Sequence, residues 1–418
     1  MMPEEKRFYG YTAAMASGIL LAIHVGLGSL FSILIPNYMR EMGWTLTQIT
    51  WESTLCTAAT AICSVFGMRA VIKLGTRAMF FFGSVAAGAG TILLGSAHNL
   101  ITLYLGGIVF GLGLAFACHV CCATFVSLWF IEKRKTITGI VLGFSQFGGA
   151  VCLIAGGWLF ELMPWRVATN AIGGAAIALG ILINLALIRT PDKMNQKPLG
   201  WERQGASKAA AAPGLAQFGL SFNEAFKTGA FWLLVAGICL AGMPMTGVKV
   251  FGPTFWQSFG MPQQVSANYA GLLTVFCTVA MMISGFIADK LGLKAYITYI
   301  FLAFAAGSAM YLYWPLHQSA AYTSLSLVVI SLASPTGAIS STITPEVFGP
   351  KDFTSINGKI MGAFYFGVAI VAVLTGALRD MTGSFDVVWI FLGVAAIAAM
   401  ICCLIALRIA PVKKLLNK

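Results

Sequence analysis

Apolar runs broken by short polar punctuation fill this chain from end to end. Twelve such runs, at 11–39, 46–70, 78–97, 100–128, 136–160, 166–188, 229–257, 266–288, 294–315, 320–347, 353–379 and 385–408, each hold about twenty or more residues. That length lets a helix cross a hydrocarbon core of about 30 Å. In lipid, a helix also satisfies its backbone polar groups internally. Only one polar stretch is long, "RTPDKMNQKPLGWERQGASKAAAAPGLAQFGLSFNEAFKT" at 189–228, rich in Pro, Gly, Ala and Lys. It reads as a linker between six spans and six more. The pattern predicts an all-α membrane protein of twelve transmembrane helices: a six-helix bundle over 1–188, a cytoplasmic linker over 189–228 and a second six-helix bundle over 229–418.

Composition agrees. The 418 residues are 58% hydrophobic and 10% charged, against about 25% charged in a soluble globular chain. Of the 26 Lys and Arg, 21 fall on one side of the predicted spans, three (Arg40, Arg166, Arg379) on the other and two (Lys249, Lys359) inside them. The positive-inside bias puts both termini in the cytoplasm, so the net charge of +12 is a topology signal and not a nucleic-acid footprint. The N-terminus "MMPEEKRFYG" is too acidic and short for a cleaved signal. The ten cysteines lie mostly within spans and make no disulfide framework. "CHVCC", Cys118 to Cys122, offers metal ligands on paper, but small apolar residues of a buried helix explain it better. No Walker loop, G-x-G-x-x-G or N-x-[ST] sequon occurs, so neither ATP nor another cofactor is expected.

The two groups of spans repeat each other. An offset of 217 lays Gly43 on Gly260 and Lys73-Leu74-Gly75 on Lys290-Leu291-Gly292; an offset of 219 lays Gly143 on Gly362 and Gly148 on Gly367. A near-constant offset argues for a parallel duplication, with a binding site where the halves meet near mid-membrane.

"GFIADKLGLK", Gly285 to Lys294, resembles the G-x-x-x-D-[RK]-x-G-x-[RK] loop of the major facilitator superfamily. That resemblance implies two pseudo-symmetric bundles and a cytoplasmic latch made by Gly285, Asp289, Lys290, Gly292 and Lys294. The first-half copy, "MRAVIKLGTR", has Met68 and Ile72 where the glycine and the aspartate belong. The latch therefore rests on Asp289. "EMGWTLTQIT" and "SLWFIEKRKTITGIVLGFSQFGGA" further resemble the monocarboxylate transporter and oxalate:formate antiporter branch. Where that branch keeps a cavity lysine on span 1, this chain reads "SLFSILIPNYMRE", and span 8 lacks the branch's acidic-basic pair.

A charge in the hydrocarbon costs about 2.5–3.5 kcal/mol on insertion scales and is retained mostly for function. All 14 acids fall in predicted loops or at span ends, Glu52 and Glu346 lying nearest to membrane depth. The ionisable residues within spans are Lys249, Lys359, His24 and His119, all bases. A cationic cavity without a counter-carboxylate suits an anion, which brings the missing charge with it. Lys249 leads. Its helical neighbours Gly242, Met245, Thr246, Gly252 and Pro253 are small or polar, and Pro244 and Pro253 can free backbone groups nearby. A lysine snorkelling to the interface is the alternative. Ser32 occupies the mirror position at the 217 offset. His24 shares a face with Ser17, Gly28 and Ser32, its alternative role being a neutral ring bonded to a nearby carbonyl. His119 sits on span 4, and Lys359 lies two turns into span 11, where snorkelling also explains it. Gln146 and its repeat mate Tyr365, Asn268, and Ser334 with Thr336 around Pro335 are uncharged candidates that interhelical hydrogen bonding would explain equally. Trp256, Tyr311, Tyr313 and Trp314 read as interfacial belt aromatics.

The expected function is secondary transport of a small organic anion, a mono- or dicarboxylate, by alternating access, in a monomer of the cell (inner) membrane. Coupling is by exchange with an intracellular anion or by proton symport through His24 or His119. A major facilitator exporter of drugs or other amphipathic compounds is the rival. A sensor would need an attached domain, and no nucleophile, metal or carboxylate pair is assembled for an enzyme.

Overall fold

The computed structural model describes residues 8–117, 119–130, 134–194, 196–199 and 219–412. Within them 64–73, 119–120 and 288–289 are among the residues described by backbone alone. The elements are helices: α1 (Gly10–Met42), α2 (Leu46–Gly95), α3 (Leu100–Ala117), α4 (His119–Trp129), α5 (Arg134–Leu162), α6 (Trp165–Leu187), α7 (Gly229–Ser258), α8 (Gln263–Tyr313), α9 (Ala320–Ser331), α10 (Ile339–Phe348), α11 (Phe353–Thr382) and α12 (Asp386–Arg408). A 3₁₀ turn, Ser334–Ala338, joins α9 to α10. Nine helical segments among the described residues are long and apolar enough to cross a membrane, and Leu100–Phe116 is a shorter apolar helix. Their bounds follow the apolar runs closely because lipid-length helices end where polar residues can reach water. Large apolar side chains stand exposed along them, Leu162 at 64%, Val394 at 62% and Met282 at 72% among them, as a lipid-facing surface requires.

Two differences from the sequence pattern are local. Two pairs of predicted spans, 46–70 with 78–97 and 266–288 with 294–315, run on as α2 and α8, each broken at one residue: Gly75 (φ 80°, ψ 156°) and Gly292 (φ 77°, ψ 163°). Such positive-φ extended backbone is essentially reserved for glycine, so these two glycines make the turns. The predicted run 320–347 is interrupted by the 3₁₀ turn because Pro335 has no N–H to continue an α-helical ladder.

Contacts group the chain into two compact units, Met1–Phe31 with Ala58–Ala211, and Ser32–Thr57 with Ala212–Lys418. In the first, Phe80, Phe125, Trp129 and Phe130 are wholly buried in one core. Trp129 Nε1 donates to the Arg189 carbonyl at 3.0 Å, and Leu199 N–H donates to the Trp129 carbonyl at 2.8 Å, tying the start of the linker to the bundle. A Cβ on Gly148 of α5 would collide with the Ala22 carbonyl of α1, and one on Gly26 with the Gly148 carbonyl. In the second unit α7 packs chiefly on α11 and α12. There a Cβ on Gly367 of α11 would collide with the Cys239 carbonyl of α7, and one on Gly242 with the Phe364 carbonyl. The same backbone-to-backbone crossing thus occurs once in each unit.

Candidate functional site

Lys249 sits nine residues before the end of α7, half-buried, in a helix that carries both Pro244 and Pro253. Thr246, one turn away, gives its hydroxyl to the Gly242 carbonyl at 3.0 Å. Across from it on α8 lies Cys277, close enough for the lysine's charge to act on the thiol. Ser334, in the 3₁₀ turn, donates its hydroxyl to the Cys277 carbonyl at 2.9 Å. One sequence candidate, Ser334, is therefore bonded to the backbone of a cysteine that an apolar run gave no reason to choose.

The other candidates are more scattered. In the second unit, Asn268 accepts from the Gln264 amide at 3.0 Å on its own helix. Tyr365 is 51% exposed, its ring 5.8 Å from that of Phe364. Lys359 is exposed near the start of α11, and Ser32 is buried at 6% on α1. In the first unit, Gln146 is half-buried on α5, and His24 is buried with Nδ1 donating to the Leu20 carbonyl at 2.5 Å. That bond orients the ring, and Nε2 has no partner among the described residues. The side chain of His119 and the surroundings of Gly285 and Asp289 lie outside the described residues. Lys290 and Lys294 are exposed on either side of the Gly292 turn.

Two expectations need correction. Of the four residues read as belt aromatics, Trp256, Tyr311 and Trp314 are buried at 0%, 0% and 2%, and only Tyr313, at 60% exposed, faces outward. They form one aromatic core with Phe255, whose ring lies 5.6 Å from Tyr311, 5.5 Å from Trp314 and 5.2 Å from Trp389. The sequence placed them near span ends correctly but could not show that neighbouring helices cover them. Glu52, read as a span-end acid, is buried at 3% inside α2, with the Ser53 hydroxyl 3.3 Å from its carboxylate. Its helix continues about six turns past it before the Gly75 break, and Thr50 and Ile49 beside it are fully buried.

Sequence reasoning also missed Asp380. Its carboxylate accepts from the backbone N–H of Leu46 at 3.2 Å and of Thr47 at 2.8 Å, and from the Thr47 hydroxyl at 2.6 Å. Thr45 and Gln48 complete the N-terminus of α2 as a reciprocal capping box, with bonds of 3.0 and 3.2 Å. The T-x-x-Q spacing was a legible signal for that box; the acid over 330 residues away was not. Arg40, in the same unit, donates to the Gln257 side chain at 2.8 Å. The mirror residue of Asp380 at the 219 offset, Glu161, is exposed.

Long apolar helices in two copies of one crossing define a multi-pass membrane protein by class. The chain belongs to the Major Facilitator Superfamily, whose model matches residues 17–338. It is a transporter, not an enzyme. Among curated relatives it is 24% identical to monocarboxylate transporter 12 of Rattus norvegicus, over 88% of this chain and 79% of that protein. It is 21% identical to monocarboxylate transporter 2 of Homo sapiens, over 95% and 85%. A shorter match, 28% identical, covers 39% of this chain and 32% of the puromycin resistance protein pur8 of Streptomyces alboniger. Among solved structures, the nucleoside transporter NupG superposes with a TM-score of 0.73 at 16% identity, over 93% of this chain and 98% of that one. These structural likenesses establish the fold alone.

Proposed function

We propose that this protein is a secondary transporter of a small organic anion, a mono- or dicarboxylate, working by alternating access of its two repeats. The observation that carries the reading is Lys249: a half-buried cation in the interior of α7, within electrostatic range of Cys277. A buried cation is stabilised by an anionic ligand that brings the countercharge, and the full-length matches to monocarboxylate transporters support the same class.

Pulling a monovalent anion into a negative-inside cell opposes about 2.3 kcal/mol per 100 mV, so uptake must be coupled. Exchange for an internal anion covers the Lys249 charge during reorientation. Proton symport has the histidines and, beyond the sequence reading, the buried Glu52 carboxyl. A pH gradient imposed on liposomes separates the two: symport predicts gradient-driven accumulation, abolished by Glu52→Gln where that carboxyl carries the proton, and exchange predicts that only internal anion accelerates uptake. The reading itself is tested by counterflow of labelled lactate and oxalate in the same liposomes. Wild type should show it and Lys249→Ala should not. Absence of counterflow with either acid would overturn it.

A drug exporter is the second reading. The match to a puromycin resistance protein and a buried acid of the kind that binds cationic drugs, Glu52, favour it. Expression that raises puromycin resistance, with no anion counterflow, would select this reading over the first.

A further inference from the structure

Lys249 and Trp256 lie seven residues apart on α7 and so share a face, about 10.5 Å apart along the axis. Side chains on a helix lean toward its N-terminus, and the indole of Trp256 does so. A Cβ at Gly252 would meet its Cη2 and Cζ3 at 3.6 Å, so the ring lies over Gly252, one turn nearer the lysine. On the facing helix, Tyr269 holds the same place opposite Trp256 that Cys277 holds opposite Lys249; the Trp256 and Tyr269 rings are 5.8 Å apart. Tyr311, from the distal part of α8, brings its ring to 6.1 Å from Trp256, and its hydroxyl comes within electrostatic reach of Cys277.

Trp256 Nε1 and Tyr311 Oη are both fully enclosed, and neither has a hydrogen-bond partner among the described residues. Leaving a buried donor unpaired costs about 1–3 kcal/mol, and native proteins do so rarely. Among the described residues the indole N–H and the phenol O–H, both donors, are left without an acceptor. An acceptor-bearing ligand would supply one to each.

We infer that Trp256 and Tyr311 are substrate-binding residues, donating hydrogen bonds to the carboxylate whose charge Lys249 neutralises. This rests on the anion reading above. The aromatic and thiol walls then select a compact acid whose remaining surface is flat or apolar over a polyhydroxylated one.

The test uses the purified full-length protein and four probes, formate, oxalate, lactate and pyruvate, with ligand-dependent melting as readout. Trp256→Phe and Tyr311→Phe each remove one donor and keep most of the ring; Tyr313→Phe, exposed in the same stretch, is the control. The expected result is about tenfold weaker apparent affinity in the first two variants and an unchanged one in the control. The ligand-free melting temperature of Tyr311→Phe should equal or exceed that of wild type, because an unpaired donor has been removed at nearly constant volume, whereas Trp256→Phe also leaves a cavity and should melt lower. If both variants keep wild-type affinity, the donors serve the fold through water or protein and the inference fails alone. If no probe stabilises the wild type, the anion reading fails and takes the inference with it.

Discussion

The two helix crossings make an instructive pair. Gly148 meets the Ala22 carbonyl in the first unit, and Gly367 meets the Cys239 carbonyl in the second. Gly26 answers Gly242, and the turn glycines Gly75 and Gly292 share φ near 80°. Where backbone touches backbone or turns through positive φ, the repeats have stayed alike. Elsewhere the side chains have parted: at the repeat offsets Ser32 stands for Lys249, and the exposed Glu161 for the engaged Asp380. Duplication has preserved the geometry and left the chemistry free to diverge.

The largest expected effects probe the shared geometry. Gly148→Leu and Gly367→Leu should each cost about 3 kcal/mol or more, because the nearest obstacle is backbone and cannot rotate away. Gly174→Ala and Gly362→Ala, with nothing within 4 Å of the new Cβ, should be neutral or stabilising by up to about 1 kcal/mol. Melting in detergent measures both. A tolerated Gly367→Leu beside a lethal Gly148→Leu would break the symmetry claimed for the crossings.

Smaller effects are expected at the turns. Gly75→Ala and Gly292→Ala should each cost about 1–3 kcal/mol through backbone strain alone, since both positions are otherwise open. Similar losses at both sites would sharpen the comparison; a loss at one only would show that the copies bear unequal load.

Asp380→Asn should lower stability by about 1 kcal/mol, the usual cost of a lost helix cap, while Glu161→Gln leaves the melting temperature unchanged. Equal sensitivity at the two acids would contradict the asymmetry drawn between them.

The smallest effect lies before α7. The Ser221 N–H and hydroxyl bond the Glu224 carboxylate at 2.8 and 2.9 Å and hold its carboxyl below the usual range. A lowered folded-state pKa stabilises above the ordinary carboxylate range, and this is lost as pH falls through the folded value. Ser221→Ala should therefore melt slightly below wild type at neutral pH, the gap closing in acid; a gap that persists in acid would assign the effect to packing.

Most of the fold was legible because lipid imposes a simple rule on the chain. Runs of apolar residues long enough to span must be helices, and the repeated glycines marked where the copies align. The latch motif showed its turn glycine, and Lys249 stood out because nothing apolar explains a lysine there. The rest depended on contacts distant in sequence. Cys277 looked like any small apolar residue, Asp380 like a loop acid, and Trp256 and Tyr311 like interfacial aromatics, until neighbouring helices enclosed them. Glu52 lay only six residues from the start of its helix, where a sequence alone cannot tell a solvated acid from a covered one.

The central claim is that Lys249 carries the substrate's charge. Equilibrium binding of lactate and oxalate to wild type, Lys249→Arg and Lys249→Gln, each checked for an unchanged ligand-free melting curve, tests it most directly. The account predicts measurable binding in wild type, weaker binding in the arginine variant and a loss of about a hundredfold or more in the glutamine variant, as removal of a charge-assisted bond of about 3 kcal/mol implies. Glutamine-variant affinity within twofold of wild type would contradict it.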